Sequence, residues 1–286
     1  MLNKIVPNKI LLFFELIRFE KPIGFLLLMW PCWIALATIE YQNKFSILYF
    51  YFFVGAFIMR SAGCIINDLI DINIDNKVNR TSNRPLTSKK ILIYEALVLL
   101  FILLLIAFLI LLQFNLRTIL IGLISVPLIV VYPFMKRITY LPQLFLGLVF
   151  NWGIFIVSME IYNRITLDLL LLYIACVFWT LAYDTIYAYQ DIQDDIKNKL
   201  KSTAILFGMK GRLFVKFFYL IFFIIIGYLG YKSSDSMLSL ALIISMIFFM
   251  IFYLNKWDIN LSKSGNYFFK FNNYIGLFSF IYLLIF

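Results

Sequence analysis

The chain has 286 residues, of which 63% are hydrophobic and 14% charged; a soluble domain carries about 45–50% apolar residues, so its main solvent is expected to be lipid. The net charge is +10, which in a soluble protein would suggest nucleic acid. In an apolar chain basic cytoplasmic loops account for the same excess, and no nucleic-acid partner is expected. Histidine is absent, which excludes an imidazole base and His-ligated haem or zinc; Cys32, Cys64 and Cys176 are too far apart for a metal or disulfide framework and read as apolar filler.

In chain order, residues 1–20 form a short amphipathic stretch with basic residues, suited to the membrane interface. Nine apolar windows follow, near 23–39, 47–66, 91–113, 117–134, 141–160, 166–188, 213–231, 236–254 and 268–286. Each can cross ~30 Å of hydrocarbon as a helix. Their apolar runs are continuous rather than alternating, which argues against a β-barrel. Placing the N-terminus inside puts Lys4, Lys9, Arg18, Lys21, Lys77, Arg80, Arg84, Lys89, Lys90, Lys136, Arg137, Lys197, Lys199, Lys201, Lys210, Arg212, Lys256, Lys263 and Lys270 inside. Outside loops then carry only Lys44, Arg117, Arg164 and Lys232. That asymmetry predicts an N-in/C-out topology. The two longest connections, about 67–90 and 189–212, are polar and both fall inside. No Gly/Ser/Pro-rich linker divides the chain, so one domain over 1–286 is expected.

The acidic residues concentrate in those two connections: Asp68, Asp71 and Asp75 in NDLIDINID, then Asp191, Asp194 and Asp195 in DIQDD, with Asp184 upstream. Asp71/Asp75 and Asp191/Asp195 are i,i+4 pairs, which puts both carboxylates of a pair on one helical face, about 6 Å apart along the axis. Both pairs end an even-numbered span on the inside and recur at one offset, as parallel internal repeats do. Like charges at this spacing destabilise a helix, so a neutralising cation is expected. Mg²⁺ fits, since it accepts one or two carboxylates and keeps water and phosphate in its other positions. Asn67, one turn before Asp71, adds a neutral oxygen, and Asp68 flanks the same face as a further candidate metal ligand or a partner for Arg and Lys. Basic residues surround the carboxylates: Lys77, Arg80 and Arg84 after the first cluster, Lys197, Lys199 and Lys201 after the second, and Arg60 two turns before Asn67. An acid-metal site ringed by Arg and Lys suits a diphosphate, although each basic group could instead pair with an aspartate.

NDLIDINIDNKVNRTSNRPL resembles the first signature of the UbiA superfamily of intramembrane prenyltransferases, and YDTIYAYQDIQDDIKNKLKSTAILFG resembles its second. FEKPIGFLLLMWPCWIAL and WTLAYDTIYAYQD are most similar to the 4-hydroxybenzoate polyprenyltransferases of ubiquinone synthesis. The resemblance implies an all-α integral membrane fold, nine transmembrane helices around a central cavity open laterally to lipid. It implies Mg²⁺ dependence and metal and diphosphate roles for Asp71, Asp75, Asp191 and Asp195. It further implies a polyprenyl diphosphate donor and 4-hydroxybenzoate as acceptor; the lack of a transit peptide favours a bacterial inner membrane, and the Lys/Arg bias places the active site toward the cytoplasm.

On that reading Arg80, Arg84 and Lys201, with Lys77 and Lys197, assist the diphosphate. Tyr183 and Tyr187, expected on the face of Asp191, could stabilise an allylic cation or simply pack. Arg137 is the first candidate for the benzoate carboxylate, with Arg18, Arg60 and Tyr187 as further acceptor contacts. Asp184 is either functional or a partner of Arg60. A haem, menaquinone or chlorophyll-type prenyltransferase shares both motifs. A cation transporter with an acidic site is the rival from another class, disfavoured because the clusters lie at helix ends rather than at mid-membrane.

Overall fold

The computed structural model describes residues 8–39, 46–76 and 81–286, and over these it is helical with short turns. In chain order the helices are α1 (Asn8–Leu16), α2 (Ile23–Ala37), α3 (Ile47–Asp75), α4 (Ile93–Leu111), α5 (Leu116–Val131), α6 (Met135–Ile138), α7 (Pro142–Phe150), α8 (Gly153–Tyr162), α9 (Leu167–Ala188), α10 (Ile192–Lys197), α11 (Thr203–Phe207), α12 (Gly211–Ser234), α13 (Met237–Tyr253) and α14 (Ser262–Ile285). Among the described residues eight segments are long and apolar enough to cross a membrane. They are α3, α4, α5–α6, α7–α8, α9, α11–α12, α13 with the turn after it, and α14. The first apolar window is the exception to the expected nine: α2 has 15 residues, about 22 Å of rise.

Four elements differ from the windows read in the sequence, and the simplest case is α14, which starts at Ser262 rather than near 268. α3 does not stop near residue 66 but runs on to Asp75, so the first acidic cluster is helix rather than connecting loop. The window at 141–160 is two helices, broken at Asn151–Trp152. The window at 213–231 starts earlier, with α11 and a 3₁₀ turn feeding α12.

The chain forms two compact units. The first comprises residues up to Met29 and Phe50–Phe114. Its core is Leu16 of α1, Ile58, Ala62 and Ile65 of α3, Leu86 and Ile91 of the following turn, and Ala96 and Leu103 of α4. Leu86 and Ile91 are 1% exposed, so the turn after the first acidic cluster is pinned under α3 by its own apolar residues. The opposite face of α4 carries exposed Leu97, Phe101, Leu105 and Leu109, a stripe at helical spacing that lipid tails solvate as readily as protein does.

The second unit comprises Trp30–Tyr49 and Asn115–Phe286, organised around α9. This helix packs against α7, α8, α11, α12 and α14 and is buried along most of its length, as an all-round apolar sequence requires. Without water, buried polar groups must find partners inside the protein. Asn272 of α14 accepts from the Trp179 indole N–H (2.7 Å) and the Tyr219 hydroxyl (2.7 Å), while its own amide donates to the Phe268 carbonyl (3.0 Å). Asn151, at the α7–α8 break, donates to Thr180 of α9 at 2.9 Å.

Candidate functional site

In the first unit Asp68, Asp71 and Asp75 lie at i, i+3 and i+7 on α3, one face of one helix, and are 1%, 1% and 6% exposed. α3 continues through these three aspartates because their face is covered. Thr81 donates its hydroxyl to the Asp75 main-chain carbonyl at 3.0 Å, closing the helix end. The Arg84-Pro85-Leu86 turn then brings Arg84 back over α3. Arg84 Nη1 donates to Asp75 Oδ2 at 2.6 Å and to Asp68 Oδ1 at 3.0 Å. Arg18, at a positive φ of 56° in the turn after α1, donates from Nη2 to the same Asp68 Oδ1 at 2.5 Å and from Nη1 to the Leu16 carbonyl at 3.1 Å. Asp68 Oδ2 is buried and has no hydrogen-bond partner. Arg18, expected to bind the acceptor, thus holds an aspartate in this structure. Lys77 and Arg80 lie outside the described residues, as does the segment before residue 8.

Arg60 is half-buried on α3, with Cys64, Asp68, Asp71 and Asp75 along its face. Its Nη1 donates to the Cys64 sulfur at 2.7 Å, its Nε is buried without a partner, and among the described residues it makes no ion pair. Gly24 makes room for it: a Cβ there would lie 2.6 Å from the guanidinium Nε. Neither Gly24 nor Cys64 was legible as part of a site; the glycine stood in the KPIG stretch with no spacing to mark it, and the cysteine read as filler.

In the second unit α9 ends at Ala188, and Asp191 caps the separate short helix α10 with no side-chain capping bond. The i,i+4 relation survives within α10, where the Asp195 amide donates to the Asp191 carbonyl at 2.9 Å. The face of Tyr183 and Tyr187, however, is not continued as α-helix to Asp191, because a turn intervenes. Tyr183 is 2% exposed, packs on Trp179 and Phe269, and donates to Thr180 at 3.1 Å. Tyr187 is half-buried against Phe269.

The break itself is held by Tyr189. Its hydroxyl donates to the Gly208 carbonyl at 2.5 Å, its ring packs on Trp257, and burial pushes the phenol up to about 12, so it stays a donor at neutral pH. Gly211, opening α12, has no space for a Cβ because the Tyr189 hydroxyl already occupies it.

Lys201 does not turn to the aspartates. Its amide donates to the Lys136 carbonyl (2.8 Å) and its ammonium to the Ile138 carbonyl (2.8 Å), which docks α6 beside the segment following the second acidic motif. α6 carries Arg137, exposed and lying 5.4 Å from the Phe134 ring centroid. Lys197 is exposed in the last turn of α10.

Among the described residues no three His, Cys, Asp or Glu side chains group as a metal cage. The donor set nevertheless fits Mg²⁺, a hard cation content with one or two carboxylates plus water and phosphate oxygens. Asp71 and Asp75 offer such oxygens one turn apart. Asp68 fits less well, since one oxygen already accepts two guanidinium groups and the other is buried away from the space hydrated metal needs.

Residues 28–274 match the model of the UbiA prenyltransferase family. Over 274 residues the chain is 38% identical to the 4-hydroxybenzoate octaprenyltransferase of Francisella tularensis subsp. mediasiatica, covering 96% of each chain. It is 40% identical over 274 residues to that of Haemophilus ducreyi, covering 95% of this chain and 98% of the relative. The fold is similar to a UbiA homologue from Aeropyrum pernix, TM-score 0.73 at 20% identity, covering 90% of this chain and 96% of that one. It is also similar to one from Archaeoglobus fulgidus bound to DMAPP and Mg²⁺, TM-score 0.71 at 18% identity, covering 96% and 98%.

Proposed function

Because the chain belongs to the UbiA prenyltransferase family, an integral membrane family of apolar helices like those here, we propose that it transfers a polyprenyl group from an all-trans polyprenyl diphosphate to 4-hydroxybenzoate. The bond forms at the ring carbon ortho to the hydroxyl, giving 3-polyprenyl-4-hydroxybenzoate and diphosphate in ubiquinone synthesis. Relatives at 38–40% identity carry the name 4-hydroxybenzoate octaprenyltransferase. The observation that carries the reading is the run of three buried carboxylates on one face of α3 with Arg84 folded onto it.

Asp71, Asp75, Asp191 and Asp195 are the residues to hold Mg²⁺, with Asn67 beside them. When bound, the metal would neutralise the charge that develops on the departing diphosphate; a divalent ion accompanies the prenyl diphosphate in the Archaeoglobus relative. Arg84, with Lys77, Arg80, Lys197 and Lys201, supplies N–H donors to diphosphate oxygens. Arg60 and Arg137 are the cations for the acceptor carboxylate. The faces of Tyr187 and, deeper in the packing, Tyr183 can stabilise positive charge on the allylic carbon. The hydrocarbon surroundings keep water from that carbon. The working membrane is a bacterial inner membrane, with both acidic motifs toward the cytoplasm.

The test is transfer of labelled prenyl diphosphate by the purified protein to a panel of aromatic acceptors, with Asp71→Asn and Asp191→Asn beside the wild type. 4-Hydroxybenzoate is expected as the preferred acceptor, and each substitution should lower turnover at least about 100-fold, the upper range for perturbing groups around a metal. Transfer only to another aromatic acceptor would remove the acceptor assignment, and undiminished turnover in both variants would remove the metal assignment.

A further inference from the structure

Asp68 and Arg84 do something that binding metal or diphosphate does not explain. Asp68 is 1% exposed, and its Oδ1 accepts from Arg18 at 2.5 Å and from Arg84 at 3.0 Å. Its other oxygen is buried and unpartnered. A carboxylate enclosed in this way has no room for a hydrated divalent cation. It is paid back for its burial by two guanidinium groups, and removing either would leave charge uncompensated. Arg84 meanwhile reaches past Asp68 to Asp75 Oδ2 at 2.6 Å, so one guanidinium nitrogen spans two carboxylates two helical turns apart. Arg18 is itself braced on the Leu16 carbonyl, which keeps one side of Asp68 satisfied if Arg84 moves.

We propose that Arg84 is a built-in counter-cation that occupies Asp75 in the ligand-free protein and yields it to the divalent metal, while Asp68 is a positioning residue that tethers Arg84 through this exchange. The inference rests on the reading of Asp75 as a metal ligand. In the free protein the arginine neutralises the Asp75 charge, which would otherwise repel Asp71 one turn away. When metal arrives, the positive charge of Arg84 opposes it at Asp75, so the cation binds well only when the guanidinium can swing to a new anion. The diphosphate supplies that anion, and its fork of acceptor oxygens suits a guanidinium. Metal and diphosphate thereby bind with positive cooperativity, because each removes a cost the other would bear alone.

The experiment is a Mn²⁺ titration followed by electron paramagnetic resonance on the purified full-length protein in detergent, without substrate, with monodispersity on a sizing column as the folding check. Arg84→Gln should bind Mn²⁺ at least about tenfold more tightly than wild type, about 1.4 kcal/mol, the lower range for coupling between close charges. Asp68→Asn should bind it more weakly, since Arg84 then rests on Asp75 alone. The double variant Asp68→Asn/Arg84→Gln separates the roles. If Asp68 acts through Arg84, tight binding returns; if it remains weak, Asp68 is a metal ligand and the inference is overturned. Unchanged affinity in Arg84→Gln also overturns it. Should Arg84→Gln fail to give monodisperse protein, Arg84→Met, which also removes the charge but keeps the length of the side chain, should still tighten binding, and no tightening there counts against the inference. Asp75→Asn is the separate control: undiminished Mn²⁺ binding in that variant removes the assignment of Asp75 as a ligand, whatever Arg84 does. Adding a non-hydrolysable prenyl diphosphate analogue should tighten Mn²⁺ binding in wild type and much less in Arg84→Gln.

Discussion

Arg60 carries its charge inside a membrane span with a thiol as its hydrogen-bond partner and no carboxylate beside it among the described residues. A cation held there is costly, and the cost is met when an anion docks. The proposed acceptor brings a carboxylate, and a charge-assisted bond of this kind contributes about 1.5–3 kcal/mol. Arg60→Gln is therefore expected to raise KM for 4-hydroxybenzoate roughly 10- to 100-fold while leaving KM for the prenyl diphosphate near its wild-type value. A phenolic acceptor lacking the carboxylate should respond far less, and equal losses with both acceptors would show that Arg60 does not read that group. Gly24→Ala tests the same contact from the other side, since the added Cβ must push the guanidinium away. Its effect should have the same sign and be smaller. Arg60 was legible in the sequence as a basic residue on the acidic face, because helical spacing alone gives that. The absence of an ion pair, and the glycine that admits the guanidinium, depend on how α2 meets α3 and leave no local trace.

At the scale of elements, hydropathy located the spans well and their polar ends poorly. The apolar window of α3 ends near Ile66, but the helix goes on to Asp75 because Arg18 and Arg84, 50 and 16 residues from Asp68 in sequence, neutralise the face that follows. Such pairings cannot be read from periodicity. The second cluster shows the opposite case. Spacing of four suggested that α9 would carry Tyr183, Tyr187 and Asp191 on one face, whereas the chain breaks after Ala188 and restarts as α10. Tyr189 sets that break by filling the space above Gly211 and donating to Gly208. Gly211→Ala should therefore destabilise the protein by about 1–3 kcal/mol, as overpacking does, and displace α10 with its aspartates. Thermal unfolding in detergent measures the first effect, and a raised Mg²⁺ requirement for turnover measures the second. Tyr189→Phe, which keeps the ring and loses the hydrogen bond, should be milder in both. An unchanged melting temperature in Gly211→Ala would mean that the Tyr189 contact does not hold the break.

For the whole molecule the open quantity is parity. Eight long spans alone would leave both ends of the chain on one side of the membrane, whereas a crossing by α2 makes nine and puts them on opposite sides. α2 has 15 residues, about 22 Å against ~30 Å of hydrocarbon, so length argues for eight. Charge argues for nine. The segments flanking the acidic clusters are rich in Lys and Arg and belong inside. The structure agrees with nine, since Arg18, just before α2, bonds Asp68 near the far end of α3 from Ile47, so the chain enters α2 at one end of α3 and leaves it at the other. Helical bonding continues past Ala37, with the Thr38 amide and hydroxyl both donating to the Ile34 carbonyl and Ile39 buried just beyond, and a local thinning of the bilayer over a short span costs only fractions of a kcal/mol per Å. We therefore expect nine crossings, N-in and C-out. Cysteine accessibility in intact cells decides it cleanly, because Cys32, Cys64 and Cys176 are all buried and introduced cysteines will dominate labelling by a membrane-impermeant reagent. Ser46→Cys and Arg164→Cys should label in intact cells, and Glu20→Cys and Lys263→Cys only after permeabilisation. If Ser46→Cys behaves like Glu20→Cys, α2 turns back within the membrane and the nine-crossing topology falls, while Arg164→Cys and Lys263→Cys still report which side the acidic motifs face.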